Sequence, residues 1–355
     1  MQKSTRKWLV LLLAAALLGI VVFQARRFSG SGEFSGTKLL AAVRGADPVL
    51  LAVSLVGIYA CYALRALRWQ VLQRNLGPSH FWSIYQLTLA GFAAIFLLGR
   101  PGEPIRPLLL ARKEKLPVSG LFGIYLLERI LDAASTLVVA ALGLILIQAR
   151  HGETTAKFAA AFRTAGAVLG LGLLVSIAIL VYLRSHGTPL LEKRVAAWQA
   201  SDSWKAGVGR VALGLVRGVQ TIRSWRDLAT TVFFSAAHWI LVLMIYLWIS
   251  HAFAGSLAEL NLGDAMLVMA FALVGSVVQL PGVGGGSQVG SFVAYTAIFG
   301  VEKEPAAAAS IVLWLITFAG VSLIGAPILI HQGFSLGQLK EMAEHEKEEL
   351  ERRNS

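Results

Sequence analysis

Residues 81–115 read FWSIYQLTLAGFAAIFLLGRPGEPIRPLLLARKEK, an apolar run that stops abruptly and gives way to a basic cluster. The run from Phe81 to Leu98 is apolar enough to lie in hydrocarbon. It ends at Gly99-Arg100-Pro101-Gly102-Glu103-Pro104, where two prolines and two glycines fall within six residues. Proline lacks a backbone donor and glycine lacks rigidity, so no helix continues through this segment. A simple crossing by Phe81–Leu98 would deliver residues 99–116, with five basic residues against two acidic, to the far side of a membrane.

The charge of the neighbouring segments forbids that. Residues 184–227 hold eight basic residues (Arg184, Lys193, Arg194, Lys205, Arg210, Arg217, Arg223, Arg226) against three acidic, whereas 251–263 has no Lys or Arg. The positive-inside rule makes the first segment cytoplasmic and the second external, and Lys3, Arg6 and Lys7 put the N-terminus inside as well. The conflict disappears if 81–115 is a re-entrant hairpin that enters from the cytoplasm and returns there.

Composition agrees with a membrane setting. The chain has 355 residues, 56% hydrophobic and 15% charged, with a mean hydropathy of +0.67. Soluble domains carry about 25% charged residues and spread their apolar ones differently. Here several apolar runs approach the ~20 residues that cross the hydrocarbon layer. A soluble enzyme, a nucleic-acid-binding domain and a secreted disulfide scaffold all fit poorly. The net charge of +12 sits between the runs, where it serves orientation and contact with anionic lipid. The one cysteine, Cys61, excludes an internal disulfide and a multi-cysteine metal site.

The first apolar run, Trp8–Phe23, has the pattern of a signal peptide. Gln24-Ala25-Arg26-Arg27 makes a poor cleavage site, so a retained anchor helix is expected. Further runs cover Pro48–Leu64, ending at Arg65 and Arg68, and Pro117–Ile147. Beyond them lie Ala165–Leu183, Leu228–Ser250, Asp264–Leu280, Ser287–Phe299 and Ala306–Ile330. Between Leu280 and Ser287 lies a second helix-breaking element, Pro281-Gly282-Val283-Gly284-Gly285-Gly286. The same charge logic makes 264–304 a second hairpin, entering from outside.

The expected fold is therefore an all-α polytopic membrane protein with about six full crossings, two Gly/Pro-broken re-entrant hairpins and both termini cytoplasmic. A crossing, a broken hairpin, a proline (Pro117 or Pro305) and another crossing occur twice in opposite orientation. Inverted repeats whose broken helices meet near the midplane are a transporter architecture. An eight- or nine-span protein with two accidental glycine-rich loops is the alternative. One transmembrane domain would occupy 1–335, with a charged tail over 336–355. Within 184–227, Val211, Leu215, Val219 and Ile222 recur at helical spacing beside arginines, as in an amphipathic helix on an anionic leaflet or a solvated basic loop.

Three charges interrupt the run after Pro117. Glu128, Arg129 and Asp132 would each cost about 2.5–3.5 kcal/mol at the bilayer centre, so they must face protein or a wet cavity. Glu128 and Asp132 share a helical face, while Arg129 points about 100° away. The natural partners are Arg100 and Arg106 beside the first break. Guanidinium groups and the amides of a half-helix suit a phosphate, so an anionic headgroup held by Arg100, Arg106 and Arg129 is one reading. Glu103, Glu128 and Asp132 would then position the arginines or carry a coupling proton. An internal salt-bridge network is the other reading. In the second break Gly282, Gly284, Gly285 and Gly286 permit close backbone approach, and Ser287 and Gln288 offer neutral hydrogen bonds. No Gly-Lys-Ser/Thr follows, so ATP binding is not expected. His238 lies within a span, as a proton carrier or a packing residue.

Gly99-Arg100-x-Gly102-Glu103-x-x-Arg106, Glu128-Arg129-x-x-Asp132, and Pro281-Gly282 with its glycine cluster, in this order, resemble the lysylphosphatidylglycerol synthase transmembrane region family, also called the flippase-like domain family. The resemblance spans about residues 10 to 335. It implies an integral inner-membrane protein that moves or modifies lipid headgroups. It also implies a site drawn from Arg100, Gly102, Glu103, Arg106, Glu128, Arg129, Asp132, Pro281, Gly282, Gly285 and Gln288. Members that lysinylate phosphatidylglycerol carry a soluble domain after this region, and this chain runs only about 25 residues past its last span, so that activity is not expected. Two departures remove charge from the second repeat: Gln288 stands where members often have Glu, and Trp314 in the final crossing where many have Arg.

The leading expectation is a translocase for an anionic phospholipid or polyprenyl-phosphate headgroup, with no cofactor and no metal. A membrane-embedded headgroup or glycosyl transferase, and a non-catalytic partner of a soluble synthase, are the competitors. Membrane lipids are the expected partners, with a soluble synthase or a second copy of the chain also considered and no nucleic acid. With Cys61 replaced by Ser, single cysteines in 184–227 and 251–263 are expected to react with impermeant reagents from opposite faces. Labelling from one face would overturn the inverted repeat.

Overall fold

The computed structural model describes residues 36–78, 80–99 and 102–150, scattered positions between 164 and 178, and 224–276, 279–280 and 284–332. The first run, most of the 184–227 segment and the tail lie outside the described residues. The chain is helical. In order come α1 (Gly36–Arg44), α2 (Pro48–Gln73), α3 (Phe81–Leu98), α4 (Ile105–Glu114), α5 (Val118–Arg150), α6 (Trp225–His251), α7 (Leu262–Gly275), α8 (Gly286–Val293), α9 (Lys303–Trp314) and α10 (Gly320–His331). Between α7 and α8, Gln279–Leu280 pairs antiparallel with Gly284–Gly285 across the second Gly/Pro break. Among the described residues five helices are long and apolar enough to cross a membrane: Pro48–Gln73, Phe81–Leu98, Gly120–Leu146, Trp225–His251 and Lys303–His331. The chain is thus an all-α, multi-pass membrane protein.

Local chemistry sets the boundaries. Asp47 accepts from the amides of Val49 and Leu50, with Pro48 in the first helical position of α2. Ser224 and Asp227 cap α6 reciprocally, as Asn261 and Asp264 cap α7. Helix α4 stops at Lys115, which takes the left-handed conformation (φ 53°) just before Pro117. The run read as Pro48–Leu64 continues to Gln73, because Ala66, Trp69 and Leu72 extend its buried face. Arg65 and Arg68 therefore lie inside a helix rather than beyond its end.

The described residues divide into two compact units. The first comprises α1, α2 up to Cys61, α3 from Gln86, α6 from Leu241, and α7 to α10. Its second-repeat hairpin is held by missing side chains: a Cβ on Gly286 would strike the Gly275 backbone, and one on Gly290 the Phe271 carbonyl. Gly325 of α10 likewise meets the Leu89 backbone of α3. The first break folds back on α3, with Gly99 at φ 74° and Gly102 seated against Ala94 and Ile95, where any side chain would collide. Two π-turns, Ala294–Ile298 and Leu315–Ala319, follow α8 and α9. The Tyr59 hydroxyl donates to the Gly320 carbonyl at 2.6 Å just past the second of them.

The second unit comprises α2 from Tyr62, the start of α3, α4, α5 and α6 up to Ile240. His80, just before α3, lies 3.6 Å from Glu114 at the end of α4. Leu76 packs against Gly120, and Leu116 against Gly77. The end of α4 thus lies beside the start of α3. Helices α2 and α6, which open the two repeats, are antiparallel. As the position on α2 moves from Arg74 through Arg68 to Arg65, its partner on α6 moves from Asp227 through Ser235 to His238. Val138, Leu142, Ile145 and Leu146 of α5 and Val232, Phe233 and Ile240 of α6 are exposed, a surface suited to hydrocarbon. Trp82 and Trp225 stand exposed at helix starts, as interfacial anchors do.

Adding a methyl group at Gly286 is expected to lower the thermal unfolding temperature, at a cost of at least ~1–3 kcal/mol, because backbone must move. Gly172→Ala, whose new Cβ would meet Leu137 at an ordinary 3.4 Å among the described residues, should leave unfolding in detergent nearly unchanged.

Candidate functional site

Helix α2 presents Arg65, Arg68, Trp69, Leu72 and Gln73 on one face, by i, i+3, i+4, i+7 spacing. Trp69, Leu72 and Gln73 have no exposed surface at all. Helix α5 presents Glu128 and Asp132 four residues apart, α4 contributes Arg106 near its start, and α6 contributes Ser235 and His238. All belong to the second unit, and all are buried.

Glu128 is the centre. Its Oε1 accepts from Arg65 Nη1 at 3.0 Å and from Arg68 Nη2 at 2.6 Å, while Oε2 accepts from Arg106 Nη2. Asp132 Oδ1 takes both terminal nitrogens of Arg68, at 3.1 and 3.0 Å. Its Oδ2 lies 2.9 Å from Arg65 Nη1 and 3.3 Å from Arg129 Nη2. Arg68 also donates to Ser235 Oγ at 2.9 Å, and Arg65 Nε donates to His238 Nε2 at 3.2 Å. The Arg106 guanidinium stacks on the Trp69 ring at 4.1 Å, a cation–π contact that holds it flat.

The cluster sits deep. Arg68 and Arg65 lie six and nine residues from Arg74, about 9–14 Å by helical rise. Glu128 lies ten residues into α5, about 15 Å. Against a hydrocarbon thickness of ~30 Å, that is between about a third and a half of the way across. At such a depth each ion is stable only through its partners.

Of the residues expected to form a site, Arg106, Glu128, Arg129 and Asp132 come together. Arg129 does not reach a separate neighbour: it folds back onto Asp132 and lies 5.4 Å from the Tyr125 ring. Arg100, Pro281 and Gly282 lie outside the described residues. Gly102 lines the first break, and Glu103 is half-buried beside it. Gly285 and Gln288 belong to the first unit, where the Gln288 side chain accepts from the Gly285 amide at 3.3 Å. Trp314, in the position where a charge was looked for, packs against Phe96 at 5.7 Å.

Sequence reasoning missed Arg65 and Arg68, the two residues with most contacts to the carboxylates. It placed them beyond the end of a span. The available signal was their i, i+3 spacing together with Trp69 and Leu72, which carry the apolar face onward.

The family model for the lysylphosphatidylglycerol synthase TM region matches residues 7–325. A relative from Methanothermobacter thermautotrophicus, described as a UPF0104 membrane protein, is 25% identical over 351 residues, covering 91% of this chain and 96% of its own. No solved structure matches the chain.

Glu128→Gln would leave three buried guanidiniums short of one counter-charge. The expected loss of stability is about 3–5 kcal/mol, read by thermal unfolding in detergent. Gln288→Glu, in the neutral second hairpin, should not compensate for it.

Proposed function

Because the chain belongs to the lysylphosphatidylglycerol synthase transmembrane-region family, we propose that it translocates lipids, passing an anionic phospholipid or polyprenyl-phosphate headgroup across the inner membrane. The supporting observation is the arginine cluster, in which, among the described residues, the buried Arg65, Arg68 and Arg106 and the one-third-exposed Arg129 outnumber Glu128 and Asp132. A structural ion pair balances its charges; a surplus of guanidinium inside an apolar span favours an anion. Arg binds phosphate through parallel hydrogen bonds and carries its charge at every physiological pH.

In this reading the headgroup exchanges for part of the carboxylate ligation. Glu128 and Asp132 hold the guanidiniums in place while the site is empty and release them as the phosphate arrives. The acyl or prenyl tails stay in the bilayer, beside the exposed apolar faces of α5 and α6. The broken hairpins give the headgroup a route that intact helices would close. Movement is downhill or ion-coupled, and the 184–227 segment and both termini face the cytoplasm.

The test is translocation by purified protein in liposomes, with short-chain fluorescent phosphatidic acid, phosphatidylglycerol and phosphatidylcholine. An anionic lipid should move at least tenfold faster than phosphatidylcholine, and Arg106→Ala should abolish the difference. Equal rates for all three lipids, or an unaltered mutant, would overturn the assignment.

A further inference from the structure

The neutral second repeat has a pocket of its own. It lies within the first unit, where α6, α7, α8, α9 and the π-turn Leu315–Ala319 meet. Tyr246, Ser287, Ser291, Ser310 and Thr317 line it, with Trp314 beside them. We propose that this pocket binds one small monovalent cation, sodium rather than potassium.

The lining selects the ligand. Ser291 Oγ donates its proton to the carbonyls of Ser287 and Gln288, at 3.0 and 3.1 Å. Thr317 Oγ1 donates to the Leu313 carbonyl at 2.7 Å. With their protons committed to backbone, these hydroxyls offer only lone pairs, which suit a cation and not an anion. Ser310 is 2% exposed, and its hydroxyl makes no hydrogen bond among the described residues. Such a group is rare in a native interior and calls for a partner. The surrounding sequence carries no charge: residues 241–250, 265–301 and 305–330 contain no Asp, Glu, Lys, Arg or His. Calcium takes carboxylates, and zinc and copper take thiolate or imidazole. Neutral oxygens suit a monovalent ion, as backbone carbonyls do in a channel filter.

Size and placement agree. The space among the lining side chains is narrower than a water molecule, so it excludes a lipid headgroup and a hydrated ion but admits a bare small cation. Thr317 stands at the centre of the 29-residue span Lys303–His331. It lies inside the π-turn, a distortion frequent at functional sites. Interrupted helices with freed backbone carbonyls are where transporters hold coupling ions. The C-terminal end of α7 and the N-terminal end of α8 meet at Gly275 and Gly286, so their partial charges offset and the hydroxyl oxygens decide the sign. Sodium binding stands on these observations alone. Its use to drive an anionic headgroup across the membrane rests on the translocation proposed above.

The test uses the full-length protein in neutral maltoside micelles, in NaCl, KCl or choline chloride at one ionic strength. NaCl should raise the thermal unfolding temperature saturably. Bound radioactive sodium should be displaced at least tenfold more effectively by NaCl than by KCl. Ser310→Ala should lower sodium affinity at least tenfold without lowering the unfolding temperature in choline chloride, because that hydroxyl makes no bond in the fold. Thr317→Val, which keeps the side-chain shape, should weaken sodium binding in the same way.

Identical unfolding in the three salts, with no sodium retained, would overturn the site. Sodium bound equally by wild type and both variants would overturn its placement in this pocket. In the liposome assay, anionic-lipid movement that ignores a sodium gradient would overturn the coupling role and leave the site standing. Sodium binding without any lipid movement would overturn the translocase reading instead.

Discussion

The second compact unit depends on one carboxylate. Glu128 is fully buried and receives guanidinium groups from α2 and α4, with that of Arg129 nearby on its own helix. Hydrophobic contact could pack these helices in many registers, since lipid is as apolar as their side chains. Ion pairs at mid-depth admit few, because every misregister strands a charge in hydrocarbon. The antiparallel sequence of partners between α2 and α6, from Arg74–Asp227 to Arg65–His238, has the same effect. Specificity here is electrostatic, whereas in the first unit it is steric. There Gly275, Gly286, Gly290 and Gly325 let backbones approach where no side chain fits.

The two repeats read from the sequence also differ in charge. Each has a long helix, a Gly/Pro break and another long helix. Only the first break is followed by buried arginine, and the second offers Gln288, Ser287 and Ser291 instead, with Trp314 in place of a charge. An inverted repeat with two equivalent sites would hold its ligand equally well in two places. In the translocase proposed above, one charged half and one neutral half would give a single strong site and a second surface that guides a headgroup without trapping it.

Most of the fold was legible because its signals are local. Prolines and glycines at 99–104 end a helix whatever surrounds them, and the imbalance of basic residues between 184–227 and 251–263 implies a direction by simple comparison. The fold-back at the first break is seen in the meeting of His80 with Glu114, while its entry and return on one membrane face stay an expectation. The site was legible only in part, for a matching reason. Glu128 and Asp132 stood out as charges within an apolar run. Arg65 and Arg68 did not, because an arginine after an apolar run has an ordinary explanation as an interfacial flank. Distinguishing flank from interior needs the length of the helix, which Ala66, Trp69 and Leu72 extend to Gln73.

That ambiguity has a physical origin. A flanking arginine and a buried one have the same neighbours in sequence and differ only in whether a carboxylate arrives from another helix. The acidic residues are therefore the better guide. A Glu at mid-span cannot reach water as an arginine can by extending its stem, so its presence demands cations at the same depth. Glu128 and Asp132 together demand more than Arg106 and Arg129 alone supply in geometry, since Arg106 engages only one oxygen of Glu128 and Arg129 is held near Asp132. The remaining acceptors had to be filled from elsewhere, and α2 fills them with two arginines on one face. Among the described residues this filling brings four guanidiniums to two carboxylates, the feature on which the proposed anion site rests.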